Sequence, residues 1–211
     1  MQNIHGLAIP ETIAEATRPE TTALVVYDMQ IGILRQLENG PAILERVLHT
    51  LQLARSAGIR VFFMRHMSLP ARMAGVFQFR QMMAWQRKSS VEDVNPWFLR
   101  DSPGFALAPE LEVRDDEVIF DKITFSAFEG TPLAIAMRDC GLKSFLICGI
   151  ATEIGIEPTV RHGADLGLIP IVVEDACGGG EAEAADRAMA GMKFMGDAMF
   201  CTVEGLSAVW R

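Results

Sequence analysis

The chain has 211 residues, of which 50% are hydrophobic, 22% charged and 8% aromatic. That apolar content excludes an intrinsically disordered chain, and no apolar run approaches the roughly 20 residues needed to cross a bilayer. The 19 basic and 27 acidic residues give a net charge of −8, spread along the chain, so a phosphate backbone meets a repulsive surface and no nucleic-acid partner is expected.

Residues 1–20 contain no basic start followed by an apolar stretch. No signal peptide is read there and a cytoplasmic location is expected. These residues are read as an N-terminal arm on one domain covering 1–211. TTALVVYD (21–28) has the length and β-rich composition of a strand buried on both faces. A helix is predicted over 41–57, with Pro41 in its first turn, Ile43, Leu44, Val47, Leu48 and Leu51 on one face, and Gly58 ending it. GIRVFFMRH (58–66) is the second strand and DDEVIFDK (115–122) the third, followed by a helix from about Thr131, with Pro132 at its first position, to Gly141. KSFLICGI (143–150), GLIPIVVED (167–175) and the short AMFCTV (198–203) complete six strands.

This alternation of strands and helices predicts an α/β fold: a three-layer, doubly wound, six-stranded parallel sheet with helices on both faces. The stretch 67–114 breaks the rhythm and concentrates Met73, Phe77, Trp85, Trp97 and Phe98. A short helix plus a lid or a subunit contact is expected there. The four cysteines, Cys140, Cys148, Cys177 and Cys201, form no C-x-x-C pair. They read as reduced thiols, with neither zinc nor a redox motif implied.

In an open parallel sheet, ligands bind beyond the carboxyl ends of the strands, where strand order reverses. Asp28 ends the first strand, Arg65 and His66 the second, Lys122 the third, and the fourth runs into GIATEIG (149–155). A carboxylate directly after five apolar positions is expected to be half-buried and to need a cation or donors. Lys122 can supply that cation. Asp121 is set on the opposite face by strand alternation. His66 has no second His or carboxylate at ligand spacing, so no metal is proposed, and it also reads as a hydrogen-bonded structural histidine. Arg65, His66, Arg161, Trp85, Phe125 and Phe128 are candidate pocket residues that suggest a small anionic or planar ligand. Arg161 reads equally as a surface residue and the two phenylalanines as core.

ALVVYDMQ around Asp28, DKITFSAFEGTPL from Asp121, and CGIATEIGIEPTVRHGADLGLIPIVVEDA over 148–176 together resemble the isochorismatase-like, or cysteine hydrolase, superfamily. The resemblance runs from about residue 21 to 203. It implies a hydrolase with no cofactor, acting on a small molecule, assembled as a homodimer or larger homo-oligomer with the site near a subunit contact. It also implies a catalytic set of Asp28, Lys122 and residue 155. Most members carry the nucleophilic Cys at that last position; here it is Gly155. The Ile150–Ala151 peptide matches one that is cis in the family, and Ile150, Ala151 and Thr152 are expected to border the substrate.

Two chemistries follow from the resemblance. In the first, Asp28 and Lys122 perform acid–base hydrolysis of an anionic substrate such as a vinyl ether, as in the isochorismatase branch, which also carries Gly at this position. Gly155 would leave room for substrate or water, and backbone N–H groups near Thr152 to Gly155 would favour an anion. In the second, the chain is a C–N hydrolase scaffold whose nucleophile is absent, by nature or by engineering. A non-catalytic binding or assembly protein is the reading from a different class.

Overall fold

The structure is a computed structural model and describes residues 1–210. The arm expected over 1–20 is folded. Strands β1 (Gln2–Ile4) and β2 (Leu7–Ile9) form an antiparallel hairpin. Its turn residues His5 and Gly6 both have positive φ, the geometry that matches strand twist in a two-residue hairpin. A short helix α1 (Ile13–Ala16) follows, started by a capping box between Thr12 and Glu15. Both strands are exposed along their length, so they lack the buried apolar run that marks a strand in sequence.

The main sheet comprises β3 (Thr22–Tyr27), β4 (Arg60–His66), β5 (Val118–Lys122), β6 (Ser144–Ile150), β7 (Ile169–Gly178) and β8 (Met199–Cys201). All five pairings are parallel, in the order β5-β4-β3-β6-β7-β8. Every residue of β3 and β6 is buried, which is why these strands read as continuous apolar runs. Alternate residues divide between two cores. Leu24 and Val26 pack with Ile43, Val47 and Leu51 of α3 (Gly40–Ser56) and with Leu206 of α8 (Val203–Val209). Val25 and Tyr27 face α5 (Leu133–Asp139), α6 (Glu157–Asp165) and α7 (Ala182–Met195) through Leu133, Met137, Val160 and Met192. Each large aliphatic side chain buried this way contributes about 1.5–3 kcal/mol.

Helix α3 ends where Gly58 adopts φ +73°, a left-handed conformation that costs glycine little. Helix α5 begins at Leu133, with Pro132 as its N-cap rather than its first helical residue. Strand β7 runs on to Gly178, beyond the 167–175 segment expected, through a register shift against β6 between Ile147 and Gly149. At Gly149, with φ +125°, a Cβ would lie 2.0 Å from the Tyr27 carbonyl oxygen, so the approach of β6 to β3 requires glycine here.

The chain steps outward from β3 through β4 to β5, then returns to the other side of β3 at β6. The strand order therefore reverses between β3 and β6, opening a crevice at their carboxyl ends. A short helix α2 (Ile31–Leu34) follows β3. Residues 67–114 contain α4 (Val76–Gln86) and three 3-10 turns, and hydrogen bonds tie this insert to the body. Ile31, Gly32 and Ala108 donate backbone N–H groups to the carbonyls of Ala106, Gly104 and Met29. Buried Gln30 donates to the His66 and Phe105 carbonyls and accepts from the His66 N–H at 2.7 Å.

Candidate active site

Asp28 leaves the sheet with φ +48°, a left-handed conformation that Asp tolerates better than most residues. Its N–H donates to the Met64 carbonyl. The turn brings its carboxylate towards the end of β5, where Lys122 Nζ donates to Oδ2 at 2.7 Å. Both side chains are buried, at 8% and 1% exposure, deeper than the half-burial expected for Asp28. The other carboxylate oxygen, Oδ1, is equally shielded and has no partner among the described residues. Burial pushes the Asp28 carboxyl up to about 6, outweighing the downward pull of the Lys122 ammonium. Burial also lowers the Lys122 ammonium, against the opposing effect of Asp28.

Strand alternation places Tyr27, His66 and Lys122 on one side of the sheet and Arg65 and Asp121 on the other. The Lys122 ammonium sits 4.2 Å from the centre of the Tyr27 ring, a cation–π contact. His66 is wedged edge-on between Trp85 and Phe98, at centroid distances of 5.6 and 5.7 Å. Burial, together with nearby Lys122, drives its imidazole down to about 3, so it is neutral near pH 7.

Tyr27, Asp28 and His66 border a cleft of about 400 Å³ at the crevice between β3 and β6. Tyr27, Asp28, His66, Ile150 and Ala151 form its base, with the Ile150–Ala151 peptide cis. One wall is aromatic, from Trp85, Trp97 and Phe98 of the insert. The opposite rim carries Glu153, Ile154, Gly180 and Glu181. The insert thus supplies the short helix expected there and contributes a wall of the cleft.

Other expected residues lie elsewhere. Arg65 bonds Asp121 at 2.7 Å and stacks on Phe105. Arg161 is paired with Glu157 and Asp197. Phe128 is in the core against Phe145 and His162, and Phe125 packs against Phe77 and Trp85. Thr152 is buried, with its hydroxyl donating to the Gly178 carbonyl. The arginines that suggested an anionic ligand therefore do not reach the cleft.

The room expected at Gly155 is filled. A Cβ on Gly155 would lie 2.1 Å from the Tyr27 hydroxyl oxygen and 2.3 Å from its ring. Tyr27 reaches this point because it is the last inward-facing residue of β3, and its hydroxyl donates to the Phe125 carbonyl. The backbone donors expected there are also committed in part, since the Gly155 and Ile156 N–H groups both donate to the Ala151 carbonyl. Sequence reading passed over Tyr27 and Glu153. The signal for Tyr27 was a polar tip at the end of an otherwise apolar strand, which needs a partner when buried.

Comparison with known proteins places these features in a family. The isochorismatase domain model matches residues 22–205. The uncharacterized isochorismatase family protein YecD of Escherichia coli O157:H7 is 32% identical over 168 residues, covering 78% of this chain and 83% of that protein. A ureidoacrylate amidohydrolase, RutB of Acinetobacter baylyi, is 28% identical over 185 residues, 81% of this chain and 75% of the relative. A cysteine hydrolase from Pseudomonas syringae pv. phaseolicola superposes with a TM-score of 0.74 at 21% identity, over 92% of this chain and 96% of that one. An isochorismatase family protein from Burkholderia thailandensis gives 0.71 at 26% identity, over 90% and 96%. The chain belongs to the isochorismatase family of hydrolases.

Proposed function

We propose that the protein hydrolyses a C–N bond in a small planar substrate, with water as the nucleophile, Asp28 as the proton-transfer group and no covalent intermediate. One observation carries this reading: Asp28, whose Oδ1 is unpartnered, lines the cleft, while Tyr27 occupies the space that a side chain at 155 would need. By resemblance, Gly155 stands where most members of the family carry their nucleophilic Cys. Asp28 Oδ1 accepts a proton from water as the water oxygen bonds to the substrate carbonyl carbon. The C–N bond then breaks as the departing nitrogen takes that proton, giving a carboxylic acid and an amine. Lys122 holds Oδ2 and so orients the carboxylate. The kinship with ureidoacrylate amidohydrolases over four-fifths of the chain supports a C–N bond.

A second reading uses the same pair on a vinyl ether. With its carboxyl at about 6, Asp28 keeps a proton on roughly a tenth of molecules at pH 7, enough to serve as an acid towards carbon. Incubation with small carboxamides, with ureido compounds and with isochorismate separates the two. Ammonia release that falls about a hundredfold or more in Asp28→Asn supports C–N hydrolysis. Pyruvate release alone transfers the assignment to the ether bond, and silence on every substrate refutes both.

A further inference from the structure

The Lys122 ammonium carries three N–H donors, and its one hydrogen-bond acceptor among the described residues is Asp28 Oδ2, at 2.7 Å. The side chain is 1% exposed, which leaves little access for water. A buried ammonium short of partners gives up its proton more readily. The face of the Tyr27 ring covers it instead, with Nζ 4.2 Å from the ring centre. The electron-rich face of an aromatic ring favours a positive charge at that distance.

Two features hold the ring in that place. Its hydroxyl donates to the Phe125 carbonyl, and residue 155 has no side chain to displace it: a Cβ there would lie 2.1 Å from the hydroxyl oxygen. Gly155 is thus the residue that admits the ring. No other charged group takes over its part. His66, the register partner of Lys122 on β4, is neutral near pH 7, while Arg65 and Asp121 pair on the opposite face of the sheet. Glu153 and Glu181 from the opposite rim and Arg87 from α4 line the same cleft, and the ion pair of Lys122 is with Asp28. Burial raises the Tyr27 phenol well above the usual tyrosine range, so the ring stays uncharged while Lys122 titrates below its own.

We propose that Tyr27 is a positioning residue for the Asp28–Lys122 pair: its ring face keeps the buried ammonium charged and seated on Asp28 Oδ2, which leaves Oδ1 as the free oxygen of the carboxylate. The role belongs to the pair itself and holds whichever bond is cleaved.

The lysines are Lys88, Lys122, Lys143 and Lys193, so carbon-13 labelling at lysine Cε gives a simple NMR spectrum in which Lys122→Met identifies the signal to follow against pH. Tyr27→Phe keeps the ring and is expected to leave the Lys122 midpoint within about 0.3 pH units of the parent protein. Fluorinating the phenylalanine ring at position 27 nearly preserves its shape and weakens, then reverses, the charge distribution over its face. The midpoint is expected to fall stepwise with fluorine content, by about one pH unit or more for pentafluorophenylalanine. The lightly fluorinated rings carry the test should the pentafluoro chain misfold. A midpoint that does not move along the series, or that rises, overturns the proposal. So does a full shift already present in Tyr27→Phe with no further change on fluorination, which assigns the effect to the hydroxyl. Should the midpoint fall as expected while no amide, ureido compound or vinyl ether is turned over, the hydrolytic reading fails and the role of Tyr27 stands. Turnover with an unmoved midpoint sinks the role of Tyr27 alone.

Discussion

Asp28 stands between two opposing influences, a cation 2.7 Å away and near-complete removal from water. Burial prevails, and the carboxyl lies at about 6 rather than near 4. A base must be ionised to act, so for water-driven C–N hydrolysis kcat/KM is expected to rise with pH through a midpoint near 6. An acid acting on a vinyl ether gives the opposite sign, with activity falling above that midpoint. The pH profile of product release therefore reads the role of this residue directly, and Asp28→Asn should remove the transition along with about a hundredfold or more of the rate. The positions of Asp28, His66 and Lys122 were legible because each ends an apolar strand run, and parallel strands deliver their carboxyl ends to one edge. The depth of burial and the orphaned oxygen were not legible, since both depend on how the insert and the β6 turn close over the site.

At the level of elements, the last inward residue of β3 and the first turn after β6 share one volume. Tyr27 and Gly155 are 128 positions apart in sequence, and no periodicity links them. That is why the space beside Gly155 read as open when the Tyr27 ring fills it. The two positions should be strongly coupled. Gly155→Cys alone forces a Cβ against the tyrosine hydroxyl and is expected to cost about 3 kcal/mol or more by overpacking. Tyr27→Ala alone leaves a cavity and an unpaired Phe125 carbonyl, at about 3–5 kcal/mol. Urea unfolding of the double variant should show a total loss smaller than the sum by more than about 1 kcal/mol, because the new thiol enters the space the ring vacates. Simple additivity would mean that the two residues do not compete for that volume. The six sheet strands were readable for the opposite reason: a parallel strand covered on both faces must be apolar throughout, whatever lies far away in sequence. The exposed β1–β2 hairpin has no such constraint and left no apolar signature.

Across the whole molecule, the four thiols differ in access: Cys140 is exposed, Cys177 is partly buried, and Cys148 and Cys201 are buried. Cys140 is exposed at the C-cap of α5, just before β6 begins. The cleft opens at the other end of that strand, whose seven residues span about 20 Å. Cys148 lies inside β6 and Cys201 at the end of β8. Burial raises both thiols above the usual range, Cys201 to about 12, which leaves almost no thiolate near neutral pH. Cys177 sits in β7 with its thiol donating to the Ile147 carbonyl, and burial raises it as well. Iodoacetamide is therefore expected to label Cys140 first, and hydrolysis should continue unchanged in protein carrying that label, as judged by peptide mass mapping alongside product release. Hydrolysis that declines in step with alkylation of any cysteine would mean that a thiol takes part. That result would remove water from the role of nucleophile, and the significance of the Tyr27 ring over Gly155 would have to be sought in packing alone.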